Sequence, residues 1–149
     1  MTSSLKPFFE PLGVAIIGAS ASPDKLSFGI LKNLMSYGFK GRIYPVNPKA
    51  DEILGLPCYP EICQVPEPVD LAVIVLDSKL IPPVLEECGK RGIRAATIIS
   101  GGFKEMGEEG RSLEEEVLKI AAKYEIRLIG PNCVGTMNLI TGLNTTFIR

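Results

Sequence analysis

The chain has 149 residues, 46% of them hydrophobic, with a mean hydropathy of +0.22, which suits one domain with a true core and excludes a disordered chain. Sixteen Lys and Arg against seventeen Asp and Glu leave a net charge of −1 with no basic cluster, so the electrostatic footprint of a nucleic-acid binder is missing. No apolar run approaches the ~20 residues of a membrane-spanning helix, and residues 1–10 lack the basic-then-apolar pattern of a signal peptide, so a cytoplasmic location is expected.

Taken in chain order, Val14–Ile17 is the first strand, and Phe28, Leu31, Leu34 and Met35 carry the spacing of an amphipathic helix that ends at Gly38. Ile43–Val46 is a second strand, followed by a loop rich in Pro and Gly with one helical turn expected around Ala50–Leu54. The unbroken apolar run Leu71–Leu76 reads as a strand buried on both faces. A helix follows from near Ser78, accommodates Pro82 and Pro83 in its first turn, and stops before Gly92. Ala95–Ile99 is a fourth strand. Ser112 and Glu115 form a capping box, after which Leu113, Val117, Ile120, Ala121 and Tyr124 make one apolar stripe. Arg127–Ile129 is a short fifth strand, and the tail from Gly142 could add another. Five strands alternating with helices define the fold class: α/β, a Rossmann-like doubly wound parallel sheet in a single domain. Residues 1–12 form an N-terminal extension and 13–149 the domain.

Ligands of such sheets gather at the carboxyl ends of the strands. Gly18, Ala19, Ser20, Ser22 and Lys25 follow the first strand, where backbone amides, hydroxyls and an ammonium can meet phosphate. An ordinary strand–helix turn with capping serines is the competing reading. Val46, Asn47, Pro48 and Lys49 end the second strand. A dinucleotide site would place Asp or Glu there for the ribose hydroxyls; Asn47 and Lys49 point instead to a nucleotide bearing an extra phosphate, and coenzyme A fits. An NAD(H)-binding redox module is thereby disfavoured. Val75, Leu76, Asp77 and Ser78 lie on the same edge, where Asp77 could simply cap a helix. In Ser100, Gly101, Gly102 and Phe103, the paired glycines allow close backbone approach or make a hinge. In Gly130-Pro131-Asn132-Cys133, Asn132 is a good N-cap for a following helix whose N-terminus could face an anion, whereas Cys133 by spacing alone is a small buried hydrophobe.

Cys58, Cys63, Cys88 and Cys133 show no Cys-x-x-Cys pairing, and the chain has no histidine, so no metal site is expected and the thiols are read as reduced and mostly buried. No histidine base or phosphohistidine can come from these residues.

The ordered set Gly-Ala-Ser-Ala-Ser-Pro-Asp-Lys (18–25), Tyr-Pro-Val-Asn-Pro-Lys (44–49), Ser-Gly-Gly-Phe-Lys-Glu (100–105) and Ile-Gly-Pro-Asn-Cys-Val-Gly (129–135) resembles the N-terminal CoA-binding domain of NDP-forming acyl-CoA synthetases. That family includes ADP-forming acetate–CoA ligase and the succinyl-CoA synthetase α subunit. The opening Pro-Phe-Phe-Glu-Pro (7–11) is similar to the acetate–CoA ligase branch. The resemblance implies that residues 18–25 hold the CoA phosphates, chiefly through Ser20 and Lys25, and that residues 46–49 flank the adenosine. Val75–Ser78 and Ser100–Phe103 would line the pantetheine arm. Asn132 and Cys133 would begin a helix facing the transferred phosphoryl group, with no catalytic residue assigned within the chain.

The family reaction passes phosphate through a histidine in a later domain to a nucleotide on an ATP-grasp domain or subunit, and neither is present in these 149 residues. The resemblance therefore implies a CoA-binding piece of a ligase whose partners are those domains. A stand-alone or regulatory CoA-binding protein is the alternative. The ending after Asn144-Thr145-Thr146 favours the fragment.

Overall fold

The computed structural model describes residues 4–148. Its centre is a five-stranded parallel sheet made of β1 (Gly13–Ile17), β2 (Arg42–Val46), β5 (Leu71–Ile74), β6 (Ala95–Ile98) and β7 (Arg127–Ile129), in the spatial order β2-β1-β5-β6-β7. The chain leaves β1 outward to β2 and then returns to β5 on the other side of β1. That reversal is the switch point at which the loops after β1 and β5 diverge and a crevice opens. β1 and β5 are buried along their whole length, as central strands with both faces covered must be.

The period-2 alternation of the strands divides the core. Ala15, Ile17, Ala72, Ile74, Ala96 and Ile98 face α2 (Ile81–Arg91) and α3 (Glu108–Lys123). Val14, Ile16, Leu71, Val73 and Ala95 face α1 (Leu26–Ser36), joined there by Phe8 from a short 3₁₀ turn at Lys6–Phe8. The sheet is thus doubly wound, and the segment before β1 packs into it.

Most expected elements form within a residue or two of their expected ends. Gly92, left-handed at φ 89°, terminates α2, and Pro82 and Pro83 sit in its first turn, where no N–H is missed. Three expectations are corrected. Ala50–Leu54 is no helical turn: β3 (Glu52–Ile53) and β4 (Leu56–Pro57) form a small antiparallel hairpin. Leu54 and Gly55 both take positive φ, the backbone of a tight two-residue hairpin turn. The capping box at Ser112 and Glu115 does not form, because α3 starts one turn earlier after Gly107, with Glu108 and Glu109 in its first turn meeting the helix dipole. The stripe itself holds, with Val117 and Ala121 buried and Leu113, Ile120 and Tyr124 against the same core.

The third correction concerns the end of the chain. Among the described residues no helix follows Asn132; the chain passes without regular structure into β8 (Met137–Asn138), which pairs antiparallel with β9 (Leu143–Asn144). Asn132 takes φ 56°, whereas an N-cap needs extended backbone, so the turn cannot start a helix. The tail thus contributes a two-residue strand to a separate hairpin rather than a sixth strand of the main sheet. It then runs over α1, where the buried Asn33 donates from Nδ2 to the carbonyls of Thr146 (2.7 Å) and Ile148 (3.0 Å).

Candidate functional site

A cleft of about 980 Å³ opens at the carboxyl ends of β2, β1 and β5. Gly18, Ala19, Ser20 and Lys25 form one side, Val46, Asn47, Pro48 and Lys49 a second, and Val75, Leu76 and Asp77 the floor toward β6. Eleven of the sequence-derived positions therefore meet in one place.

Gly18 is demanded by geometry. Its φ is +89°, and a Cβ there would lie 2.0 Å from the carbonyl oxygen of Val75. Only glycine lets β1 and β5 stay this close while the chain turns away. The N–H groups of Gly18 and Ala19 both donate to the Val46 carbonyl, at 3.1 and 3.2 Å, so they hold strand ends and are not free for a ligand. This corrects the expectation that the first residues of the loop present amides to phosphate. The amides of Ser20 and Ala21, by contrast, have no protein acceptor among the described residues. Ser20 Oγ accepts from Ser22 N–H at 3.1 Å, which leaves the Ser20 hydroxyl proton available. Ser22 itself lies outside the cleft lining and serves the loop. Lys25 is the N-cap residue of α1, has extended backbone and offers no side-chain acceptor, so no side chain caps the helix start that borders the cleft, although the Lys25 carbonyl accepts from Phe28 N–H at 3.2 Å.

Asn47 knits the two cationic loops together. Its Nδ2 donates to the Ala19 carbonyl (2.8 Å) and its Oδ1 accepts from Lys49 N–H (2.8 Å). The partners fix the amide orientation, since a carbonyl needs a donor and an N–H an acceptor. An acid at this position could not make the first bond. Lys25 and Lys49 line the same cleft, and Lys49 is exposed.

The opposite wall was not foreseen. Pro60, Glu61, Ile62 and Cys63 line it because a parallel bridge between Val46 and Tyr59 draws this segment to the end of β2. Leu80, Pro83 and Val84 from the start of α2 add apolar surface, and Leu26 and Ser27 come from α1. Asp77 both lines the cleft and caps the 3₁₀ turn at Ser78–Leu80, its Oδ1 accepting from Lys79 N–H at 3.0 Å.

The remaining expected positions lie beside the cleft rather than in its lining. Ser100 is the connection. Its Oγ accepts from Leu76 N–H (3.0 Å) and its carbonyl from Asn132 N–H (2.9 Å), tying the ends of β5, β6 and β7 together. Gly102 packs under Ser78, whose Oγ is 2.7 Å from where a Cβ would stand. Glu105 accepts from Gly102 N–H, and such backbone bonds hold its carboxyl below the usual range. Phe103 is fully buried in the α2–α3 core, so it supports this loop from beneath and cannot line a ligand arm. Cys133 is half-buried, with Sγ 3.3 Å from the Ile98 carbonyl; burial pushes its thiol up and keeps it neutral. That is the behaviour of a packed thiol. Of the other cysteines, Cys58 and Cys88 are buried and Cys63 is exposed. The described residues contain no cluster able to hold a metal ion and no helix long and apolar enough to cross a membrane.

A glycine-turned strand end, an open helix start and two lysines at a switch point define a nucleotide-binding α/β domain. Residues 13–138 match the CoA binding domain family, and the chain belongs to that family. It is 48% identical over 145 residues to ADP-forming acetate–CoA ligase I of Archaeoglobus fulgidus, covering 97% of this chain and 21% of that protein. It is 46% identical over 148 residues to the α subunit of ADP-forming acetate–CoA ligase I of Pyrococcus furiosus, covering 97% and 32%. The structure of dinucleotide-forming acetyl-coenzyme A synthetase 1 of Ca. Korarchaeum cryptofilum, in complex with phosphate and ADP, superposes with a TM-score of 0.91 at 46% identity, covering 96% of this chain and 30% of that one. The chain thus spans a fifth to a third of the length of these relatives.

Proposed function

We propose that the chain is the CoA-binding part of an ADP-forming acetate– or acyl–CoA ligase, holding CoA while acyl-CoA, ADP and phosphate are converted to acid, ATP and CoA. The observation that carries this reading is the cleft that joins Lys25, Lys49 and the start of α1, which no side chain caps, at the sheet's switch point. The CoA diphosphate lies against Ser20, Ala21 and Lys25, where free amides, a hydroxyl and a cation converge. Adenosine rests between Pro48 and the Pro60–Ile62 wall, with Lys49 beside its 3′-phosphate. The pantetheine arm follows Val75–Asp77 past Ser78 and the Ser100–Gly102 turn, which brings the thiol toward Asn132 and Cys133. This chain contributes binding and orientation. Its lack of histidine leaves phosphoryl transfer to further domains, one bearing a histidine and one an ATP-grasp nucleotide site. With those domains added, acyl-CoA synthesis is expected; a regulatory CoA-binding protein would not gain it.

Thermal unfolding with CoA, dephospho-CoA, acetyl-CoA, NADH and ATP in parallel tests the reading. A ligand at ~100 times its Kd adds about 2.7 kcal/mol, a rise of several degrees for a domain this size. CoA and acetyl-CoA are expected to stabilise, and dephospho-CoA less. Stabilisation by NADH alone would overturn the proposal. Lys25→Ala and Lys49→Ala should each weaken CoA binding about tenfold or more, the size of a lost charge-assisted hydrogen bond.

A further inference from the structure

We infer that Asn47 is a positioning residue that sets Lys49 for the 3′-phosphate and holds the diphosphate loop at a fixed distance from it. This inference rests on the CoA reading above. The strand ends are already closed without the Asn47 side chain. Gly18 and Ala19 donate to Val46, and the backbone N–H of Asn47 donates to Tyr59 at 2.9 Å. What the side chain adds lies beyond those bonds. Nδ2 reaches across to the Ala19 carbonyl, one residue before Ser20, and Oδ1 folds the backbone of Lys49 into a tight turn. One amide thus connects the last residue anchored to β2 in the first loop with the cation-bearing residue of the second. Both loops are otherwise free at their tips: Lys49 is exposed, and the amides of Ser20 and Ala21 are unpaired among the described residues. A ligand bearing two phosphate groups apart from each other needs its two cationic contacts at one spacing. Asn47 is the group that imposes it.

The two halves of the amide can be removed separately. Asn47→Ala deletes both bonds, whereas the serine of Asn47→Ser can still accept from Lys49 N–H but is too short to reach Ala19. The readout is the ratio of CoA to dephospho-CoA affinity, measured by calorimetry on the full chain alongside its melting temperature. In the wild type this ratio should be about tenfold or more, from a charge-assisted contact to the extra phosphate. Asn47→Ala should bring it close to one, matching Lys49→Ala, and the double variant Asn47→Ala/Lys49→Ala should lower it no further. Asn47→Ser should keep most of the ratio while binding both ligands more weakly. A merely structural role would lower the melting temperature and both affinities alike, leaving the ratio intact, and that result would overturn the inference. Absence of discrimination in the wild type would instead count against the CoA reading itself, so the two failures are distinct.

Discussion

Replacing Gly18 with alanine separates two costs that usually come together. The left-handed backbone at φ +89° charges any L-residue about 1–2 kcal/mol. The new Cβ must also displace the Val75 carbonyl oxygen at 2.0 Å and the Leu76 side chain at 2.9 Å, forcing β1 and β5 apart at the floor of the cleft. Overpacking of this kind costs about 1–3 kcal/mol. Gly38 is the internal control: its φ is +72°, but a Cβ there meets nothing within 4 Å. Gly38→Ala should therefore lose only the first contribution. At roughly 2–4 °C per kcal/mol, Gly38→Ala is expected to melt about 2–8 °C below wild type and Gly18→Ala about 4–20 °C below. Far-UV circular dichroism melts of the three proteins side by side provide the measurement, with CoA binding measured on the folded samples. If Gly18→Ala were no less stable than Gly38→Ala, the close approach of Val75 to the first loop would be refuted, and with it the account of why glycine ends β1.

Asn33→Ala should leave the buried carbonyl of Thr146 without its donor, at a cost of about 1–3 kcal/mol; hydrogen exchange should accelerate in residues 145–148 while β1 and β5 stay protected. Among the thiols, Cys63 should alkylate first. Its hydrogen bond to Glu61 raises the thiol's pKa, so Glu61→Gln should speed that reaction at neutral pH, as mass spectrometry of timed samples would reveal. Cys88, whose pKa burial pushes to about 12, should resist labelling until the chain unfolds. Glu86 accepts hydrogen bonds from Lys123 Nζ (2.6 Å) and Tyr124 Oη (2.7 Å), bridging α2 and α3, and its carboxyl is held below the usual range. A depressed folded-state pKa gives stability above the unfolded value that disappears as pH falls through the folded one. Urea unfolding of Glu86→Gln should accordingly show a small loss at neutral pH that vanishes under acid; a constant difference at every pH would refute the assignment.

The sheet was legible in the sequence because its signals are local and redundant. The apolar run Leu71–Leu76 marks a buried strand, which forms over Leu71–Ile74, and Gly92 after a periodic run marks a stop. The first loop of the cleft and Lys49 were legible for a similar reason, since each follows a recognisable strand by one turn. What was hidden depends on distance along the chain. Nothing in Pro60-Glu61-Ile62-Cys63 marks it as a cleft wall; only the bridge from Tyr59 to Val46 places it there. Phe103 invited a ligand contact because it follows two glycines, yet its side chain is fully buried in the core, and Gly110 makes room for its backbone: a Cβ on Gly110 would stand 1.8 Å from the Phe103 carbonyl oxygen. Asn132 misled for a subtler reason. Asparagine favours both N-caps and left-handed turns, and only the backbone decides between them. The Ser112–Glu115 pair failed because Gly107 already starts the helix upstream with two acids in its first turn.

The two sides of the sheet's carboxyl edge, at the cleft and beside it, are held by different means. At the β1–β2 end, backbone bonds to Val46 and the Asn47 amide lock the loops from within this chain. At the β6–β7 end, Ser100 joins three strand ends, through Leu76 on one side and Asn132 on the other, beside the Ile99 N–H bond to the Ile74 carbonyl. The surface it organises is open: Gly101 and Asn132 are exposed, and Val134 just beyond is 49% exposed. Under the proposed reading, the nucleotide of CoA is held at the locked end and its thiol lies toward the open one. Cys133 is kept neutral by burial, Glu105 is occupied by backbone amides, and no histidine is present. Under the proposed reading, the chemistry of the thiol is left to the further domains of the ligase.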